Sequence, residues 1–202
     1  MLKPRIKQSH HIIKNSNGDI CIGELPGTSF IVRNPPQIFL ALLNLFSGHY
    51  TIQRMTALFK QSFPNVQDPE KLVLITLEKL CELNLIEDAA DQSKFLSHTE
   101  MEFYDRQMLY FSQVETQGKP GFYYQEKLKK AKVAVFGMGG WGTWVSLNLA
   151  LNGFGHIRIV DGDFIEASNL NRQVLYRPKH LGMSKVEAAV DSINEINPYI
   201  KA

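Results

Sequence analysis

An α+β winged helix-turn-helix domain, followed by the first half of an α/β Rossmann-like fold, is the architecture this sequence predicts. Two observations carry it. The first ninety or so residues pass through three short strand-like runs and then three runs of helical periodicity. Further on, Lys132 to Gly142 reads as a buried strand entering a glycine-rich turn that opens a helix. With 44% hydrophobic and 21% charged residues over 202 positions, the chain has a globular composition rather than a disordered one.

The strand-like runs His10 to Lys14 and Asp19 to Leu25 flank Asn15 to Gly18, and Asn17-Gly18 is a strong hairpin signal. Pro26-Gly27 then turns into a third run, Ser29 to Arg33. Asn34-Pro35-Pro36 ends it and starts a helix, since proline is tolerated in a first turn. Ile38, Phe39, Leu42, Leu43 and Phe46 keep helical spacing until Ser47-Gly48. A second helix follows a Thr51 cap through Met55, Leu58, Phe59 and Phe63. A third opens on Asp68 as cap with Pro69 behind it, carries Leu72, Ile75, Leu80 and Leu83, and gives way to a return strand at Leu85-Ile86.

Charge decides what such a domain does not bind. The whole chain carries +2, with 10 basic and 9 acidic residues through position 95 and 12 and 11 after it. The candidate recognition helix sets Asp68, Glu70, Glu78 and Glu82 against Lys71 and Lys79, a net −2 that repels a phosphate backbone, so nucleic acid is excluded. No apolar stretch approaches a membrane span, and Met1 to Lys14 lacks the apolar core of a secretion signal. Cys21 and Cys81 form no metal-ligand pattern, so no metal site is expected and a reducing cytoplasm is the default.

Peptide capture is the use left for the domain. The strand segment Phe30, Ile31, Val32 and Arg33 would offer unpaired backbone groups to an incoming strand, beside Leu72, Ile75 and Lys79 of the third helix. A plain α+β scaffold or dimerisation unit fits the same residues equally well. Polar Asp88 to His98 reads as a linker, Tyr104 to Phe111 as an amphipathic element holding Arg106, Thr116 to Pro120 as a loop, and Gln125 to Lys132 as a short basic helix. The expected division is 1–88, 89–131 and 132–202.

Gly137, Gly139 and Gly142 fit GxGxxG, with Gly140 as an extra glycine. Such a turn lets the backbone approach phosphates while the helix N-terminus attracts their charge. A second strand, His156 to Val160, ends at Asp161, where a carboxylate can accept ribose hydroxyls. A nicotinamide fold explains that much. It does not explain Asp163, then Ser168-Asn-Leu-Asn-Arg-Gln173, then Lys185. Arg172 and Lys185 can neutralise phosphates while Asn169 and Gln173 orient oxygens, which suits a nucleoside triphosphate. Singly, each has a plain structural role: Asp161 caps a turn, Arg172 braces a loop through carbonyls, Lys185 is solvated. Trp141 and Trp144 read as packing residues.

The set Gly137-Met-Gly-Gly-Trp-Gly142, Asp161-Gly-Asp163, Ser168 to Gln173, Gly182-Met-Ser-Lys185 and Asn197-Pro198 resembles the ThiF/MoeB group of adenylyltransferases, relatives of ubiquitin-activating enzymes. The resemblance implies ATP, with Asp161 on the ribose and Asn169, Arg172 and Lys185 on phosphates. It implies a homodimer and matches Arg106 to the arginine that reaches the partner subunit's nucleotide, with action in its own subunit left open, so that Arg106, Arg172 and Lys185 form the catalytic set. The Mg²⁺ ligand would lie beyond residue 202. The third strand would start at Ile200 to Ala202, so the chain by itself is not expected to adenylate.

The first domain resembles, in element order, the leader-peptide recognition domain of enzymes such as the MccB/PaaA-like group. Together the two halves imply a protein that binds the leader of a ribosomally made precursor and, at full length, adenylates a peptide carboxyl in modified-peptide antibiotic biosynthesis. The alternative is a non-catalytic leader-binding partner that presents the precursor to a separate cyclodehydratase. Sulfur-carrier activation uses the same nucleotide residues but has no need of the winged helix.

Overall fold

Gly18 sits at φ 89°, and Asn15 spans the turn around it, its backbone N–H donating to the Asp19 carbonyl at 2.9 Å. The hairpin predicted from Asn17-Gly18 is therefore present. A computed structural model describes residues 1–23, 27–115 and 118–202. Leu25 and Pro26 of the expected second strand and turn, and Thr116 and Gln117 of the expected loop, lie outside the described residues. The chain forms two units, one of residues 1–94 with 108–123, the other of residues 95–107 with 124–202.

Among the described residues of the first unit four strands, not three, precede the first helix: β1 (Pro4–Ile6), β2 (Ile12–Lys14), β3 (Ile20–Ile22) and β4 (Phe30–Val32). The order β2-β3-β4 is antiparallel throughout, with Cys21 opposite Ile31, and β4 ends the sheet. Three helices follow: α1 (Gln37–Leu45), α2 (Ile52–Ser62) and α3 (Pro69–Glu82). The Thr51 hydroxyl accepts the Arg54 N–H, and Asp68 accepts the Lys71 N–H at 3.0 Å with Pro69 in the first turn, as their spacing predicts. Asn84, at φ 56°, takes the left-handed conformation just past α3. The return strand β5 (Ile86–Asp88) pairs with β1, a partner too short and too basic to show periodicity. Leu42, Leu43, Phe46, Met55, Phe59, Val73 and Leu80 close on Ile20 and Ile22 to form the core.

Between the two nucleating regions the chain is mostly helical: α4 (His98–Phe103), α5 (Asp105–Val114) and α6 (Gly121–Lys130). α6 begins earlier than its basic residues suggest. Gly121 permits this, because a Cβ there would lie 2.1 Å from the Met108 carbonyl oxygen. The unit boundaries fall inside α5 and α6. Lys7 belongs to the first unit and is buried there, its ammonium paired with Glu115 at 2.6 Å.

The second unit holds β6 (Lys132–Phe136) and β7 (His156–Val160), parallel and in register from Lys132–His156 to Phe136–Val160. They are joined by α7 (Gly140–Leu151), and α8 (Lys185–Ile196) follows. Lys201 makes a parallel bridge to His156, and its carbonyl accepts the Ile157 N–H at 2.8 Å, so a third strand position opens beside β7. Val135, Ile157, Leu175, Ala188, Ala189 and Ile193 form its core. Trp141 and Trp144 do not pack as the sequence suggests: Trp141 is 87% exposed and Trp144 half exposed. The buried side of α7 is Thr143, Ser146 and Ala150, small residues that let the helix lie close to its neighbours and leave no room there for an indole.

Candidate functional site

The turn after β6 is shaped by what its glycines lack. Gly137 has φ 86° and donates its N–H to the Val160 carbonyl at 2.8 Å. A Cβ at Gly142 would sit 1.7 Å from the Gly137 carbonyl oxygen, so this glycine lets the helix fold back on the turn. Gly139 and Gly140 are different: a Cβ on either would meet nothing within 4 Å. That space lies at the N-terminus of α7, where the first N–H groups have no intrahelical partner and carry the positive end of the helix dipole. The result is an open, electropositive cradle of the kind that can accommodate an anion.

Asp161 closes the cradle from the end of β7. One carboxylate oxygen accepts the Met138 N–H at 2.5 Å and the other the Asp163 N–H at 2.8 Å. Burial alone would raise its pKa; these two bonds and the nearby Lys185 charge outweigh that and hold the carboxyl below the usual range. Asp161 therefore stays ionised.

Lys185 reaches the same place from far along the sequence. Ile165 donates to the Met183 carbonyl, Gly182 to that of Ile165, and Lys185 to that of Asp163, so residues 163–165 and 182–185 run antiparallel. This brings the Lys185 ammonium to 2.7 Å from Asp163. The lysine side chain is only 8% exposed and the aspartate 72%, so a buried cation is aimed at an open carboxylate. The Tyr176 hydroxyl lies 3.0 Å from the Met138 carbonyl oxygen and 3.3 Å from that of Lys185, locking the glycine turn to the start of α8. Burial first, then Asp161 and Asp163, push this phenol's pKa upward, so it remains a neutral donor. No sequence pattern marks Tyr176.

A 3₁₀ turn at Ala167–Asn169 and the loop after it carry the remaining predicted groups. Asn169 is buried, its side-chain oxygen accepting the Glu166 N–H and its carbonyl those of Arg172 and Gln173. Arg172 is exposed and donates to the Ser168 carbonyl, so it braces its own loop as well as presenting its charge. Gln173 is 3% exposed, and its side-chain oxygen has no partner among the described residues. A buried acceptor left open in this way fits a ligand donor or a water.

The structure thus gathers Gly137, Gly139, Gly140, Gly142, Asp161, Asp163 and Lys185 into one bonded cluster, with the Asn169–Gln173 loop joined to it through Tyr176. Arg106 is 92% exposed and pairs with Asp105 at 3.7 Å; no polar bond ties it to the cluster among the described residues. In the first unit, Ile31 is 64% exposed on the terminal strand and Ile75 is exposed on α3, while Phe30 and Leu72 pack against one core. Val32 is half-buried, Arg33 is exposed, and Lys79 is spent on a surface pair with Glu82 at 2.8 Å.

Residues 104–202 match the ThiF family and residues 9–82 match the PaaA-like N-terminal domain. The chain carries a ThiF family domain behind a PaaA-like N-terminal domain. Among solved structures it is similar to PaaA, at 42% identity and TM-score 0.83 over 96% of this chain and 57% of that one. It shares the fold of Escherichia coli MccB, crystallised with AMPCPP and MccA, at 24% identity and TM-score 0.69 over 99% of this chain and 54% of MccB. Over 98 residues it is 44% identical to the adenylyltransferase and sulfurtransferase uba4 of Aspergillus niger, covering 48% of this chain and 19% of that protein. The chain therefore spans little more than half the length of PaaA and MccB, and about a fifth of uba4. No helix among the described residues is long and apolar enough to cross a membrane.

Proposed function

We propose that the second unit binds ATP and, in the full-length protein, directs attack of a peptide carboxylate on its α-phosphorus. The bond from that phosphorus to the bridging oxygen breaks, pyrophosphate leaves, and an acyl-adenylate forms. The observation that carries this reading is the joining of an open glycine cradle, an ionised Asp161 and a buried Lys185 in one bonded cluster. Asp161 would accept ribose hydroxyls through its free lone pairs. Lys185, Arg172 and the α7 N-terminus would draw charge from the phosphates, and Asn169 and Gln173 would orient their oxygens. Magnesium would supply further neutralisation of the phosphates when ATP brings it. Arg106 would reach the nucleotide of a second subunit in a homodimer.

The first unit, read as a winged helix, would take the leader of a ribosomally made precursor peptide in a reducing cytoplasm. Its terminal strand Phe30–Val32 and exposed Ile75 support this, and MccB, which shares the fold, is crystallised with MccA. Pyrophosphate exchange into ATP, measured on the full-length protein with a precursor peptide, tests the whole reading. Exchange that requires Lys185 supports adenylation. Leader binding without exchange would leave a presenting partner for a separate cyclodehydratase.

A further inference from the structure

Glu100, Tyr104 and Gln107 are spaced four and three apart, so they fall on one side of α4 and the start of α5. All three are tied to the body of the second unit. Glu100 is ion-paired with Lys129 of α6. The Tyr104 hydroxyl accepts from the buried Asn197 amide at 2.7 Å, and that amide also donates to the Ala150 carbonyl at 2.6 Å. Gln107 makes a forked contact: its amide donates to the Gln125 side-chain oxygen at 2.8 Å and to the Asn152 carbonyl at 3.0 Å. Gln125, fully buried, donates to the same Asn152 carbonyl at 3.0 Å. Asn152 ends α7, and its carbonyl belongs to the group a helix leaves without an internal partner. The packing is close, since a Cβ on Gly153 would lie 2.5 Å from the Gln125 nitrogen and 2.6 Å from the Tyr104 ring.

Arg106 sits one residue before Gln107 and off the anchored side, so its side chain lies exposed beside Asp105 while the residue that follows it is held. We propose that Gln107 is a positioning residue: its fork onto Gln125 and the end of α7 fixes the first turn of α5 and so aims Arg106 at a bound triphosphate. This rests on the reading of Arg106 given above. A guanidinium carried on a frayed helix end would order its own backbone at the moment of binding, and one on a pinned turn would not. Loss of the fork therefore weakens the contact Arg106 makes and leaves the rest of the nucleotide site alone.

Calorimetric titration of the full-length protein with ATP and with AMP tests this in Arg106→Ala, Gln107→Leu, Gln107→Lys and the Arg106→Ala/Gln107→Leu double variant. Thermal melts confirm folding in each. Removing Arg106 is expected to weaken ATP about tenfold and AMP not at all, because AMP lacks the outer phosphates. Gln107→Leu should weaken ATP about fivefold, spare AMP, and cost nothing more once Arg106 is gone. Gln107→Lys should restore ATP affinity, because its ammonium can donate to the same two oxygens. Equal losses for ATP and AMP, or a Gln107 loss that adds to that of Arg106, would reduce Gln107 to a stability role and overturn the proposal. If Arg106→Ala leaves ATP affinity intact, the reading of Arg106 falls first and the aim assigned to Gln107 falls with it. Failure of the unaltered protein to bind ATP would remove the nucleotide reading itself.

Discussion

The Asp161 carboxylate holds the backbone N–H of Met138 at 2.5 Å, fastening the end of β7 to the glycine turn that leaves β6. The same side chain therefore shapes the cradle and is proposed to hold the ribose. Asp161→Asn separates the two roles, because the amide keeps one acceptor and loses the charge. Urea unfolding of this variant is expected to show a loss of about 1–3 kcal/mol, the scale of a hydrogen bond to a charged group. ATP affinity should fall about tenfold if a ribose hydroxyl loses a charged acceptor. Unchanged affinity in a stably folded variant would take Asp161 out of the nucleotide site.

The glycines of the cradle should divide into two classes. Gly142→Ala places a methyl 1.7 Å from the Gly137 carbonyl oxygen, so α7 must shift off the turn. A loss of several kcal/mol, about the cost of other severe core clashes, is expected in a thermal or urea melt. Gly139→Ala meets no atom within 4 Å and has φ −80°, which alanine adopts freely. It should melt like the parent yet bind ATP more weakly, since its methyl enters the space read here as the phosphate site. A Gly139→Ala protein with parental ATP affinity would show that the cradle is not that site.

What could be read from the amino acids followed the range of the interactions. The glycine turn, Asp161 at the strand end, and the Thr51 and Asp68 caps depend on neighbours a few residues away, and all were legible. Asp163 and Lys185 each stand out by residue type and position, but their pairing needs residues 163–165 and 182–185 to run antiparallel, which no local pattern encodes. Nothing local marks Tyr176, because its two carbonyl contacts come from distant segments. β1 was missed because a three-residue strand has too few positions to alternate. The tryptophans misled for a different reason: hydrophobic size suggests burial, whereas close helix packing selected Thr143, Ser146 and Ala150.

The peptide-binding reading can be tested on α3 without unfolding the unit. Ile75 is exposed, so Ile75→Asp should leave the thermal melt within a few degrees of the parent. Leu72 packs against the core, and Leu72→Asp should instead abolish a cooperative melt, making it unusable as a binding test. Fluorescence anisotropy with a labelled precursor peptide is expected to show affinity at least tenfold weaker for Ile75→Asp, about the cost of a charge in an apolar contact. If the folded variant binds that peptide as the parent does, α3 is no part of the groove.

Mild acid should weaken the first unit through His10. His10 is buried, its Nδ1 has no hydrogen-bond partner among the described residues, and its backbone N–H donates to the Lys7 carbonyl at 2.9 Å. Burial first and the Lys7 charge second lower its pKa from the ordinary 6.5. Below pH 6.5 the unfolded chain takes up a proton that the folded chain refuses. The stability His10 contributes is then complete above that pH and declines as pH falls toward the lowered value. Asp88 and Glu100 are held below ordinary values of 3.8 and 4.5, so their contributions are lost only in stronger acid. Urea midpoints should therefore drop between pH 7 and pH 5, the unfolding free energy falling by at most about 1.4 kcal/mol per pH unit for one proton. In His10→Gln, which cannot titrate, the midpoint over that interval should be flat. The same slope in the variant would assign the acid sensitivity to another group.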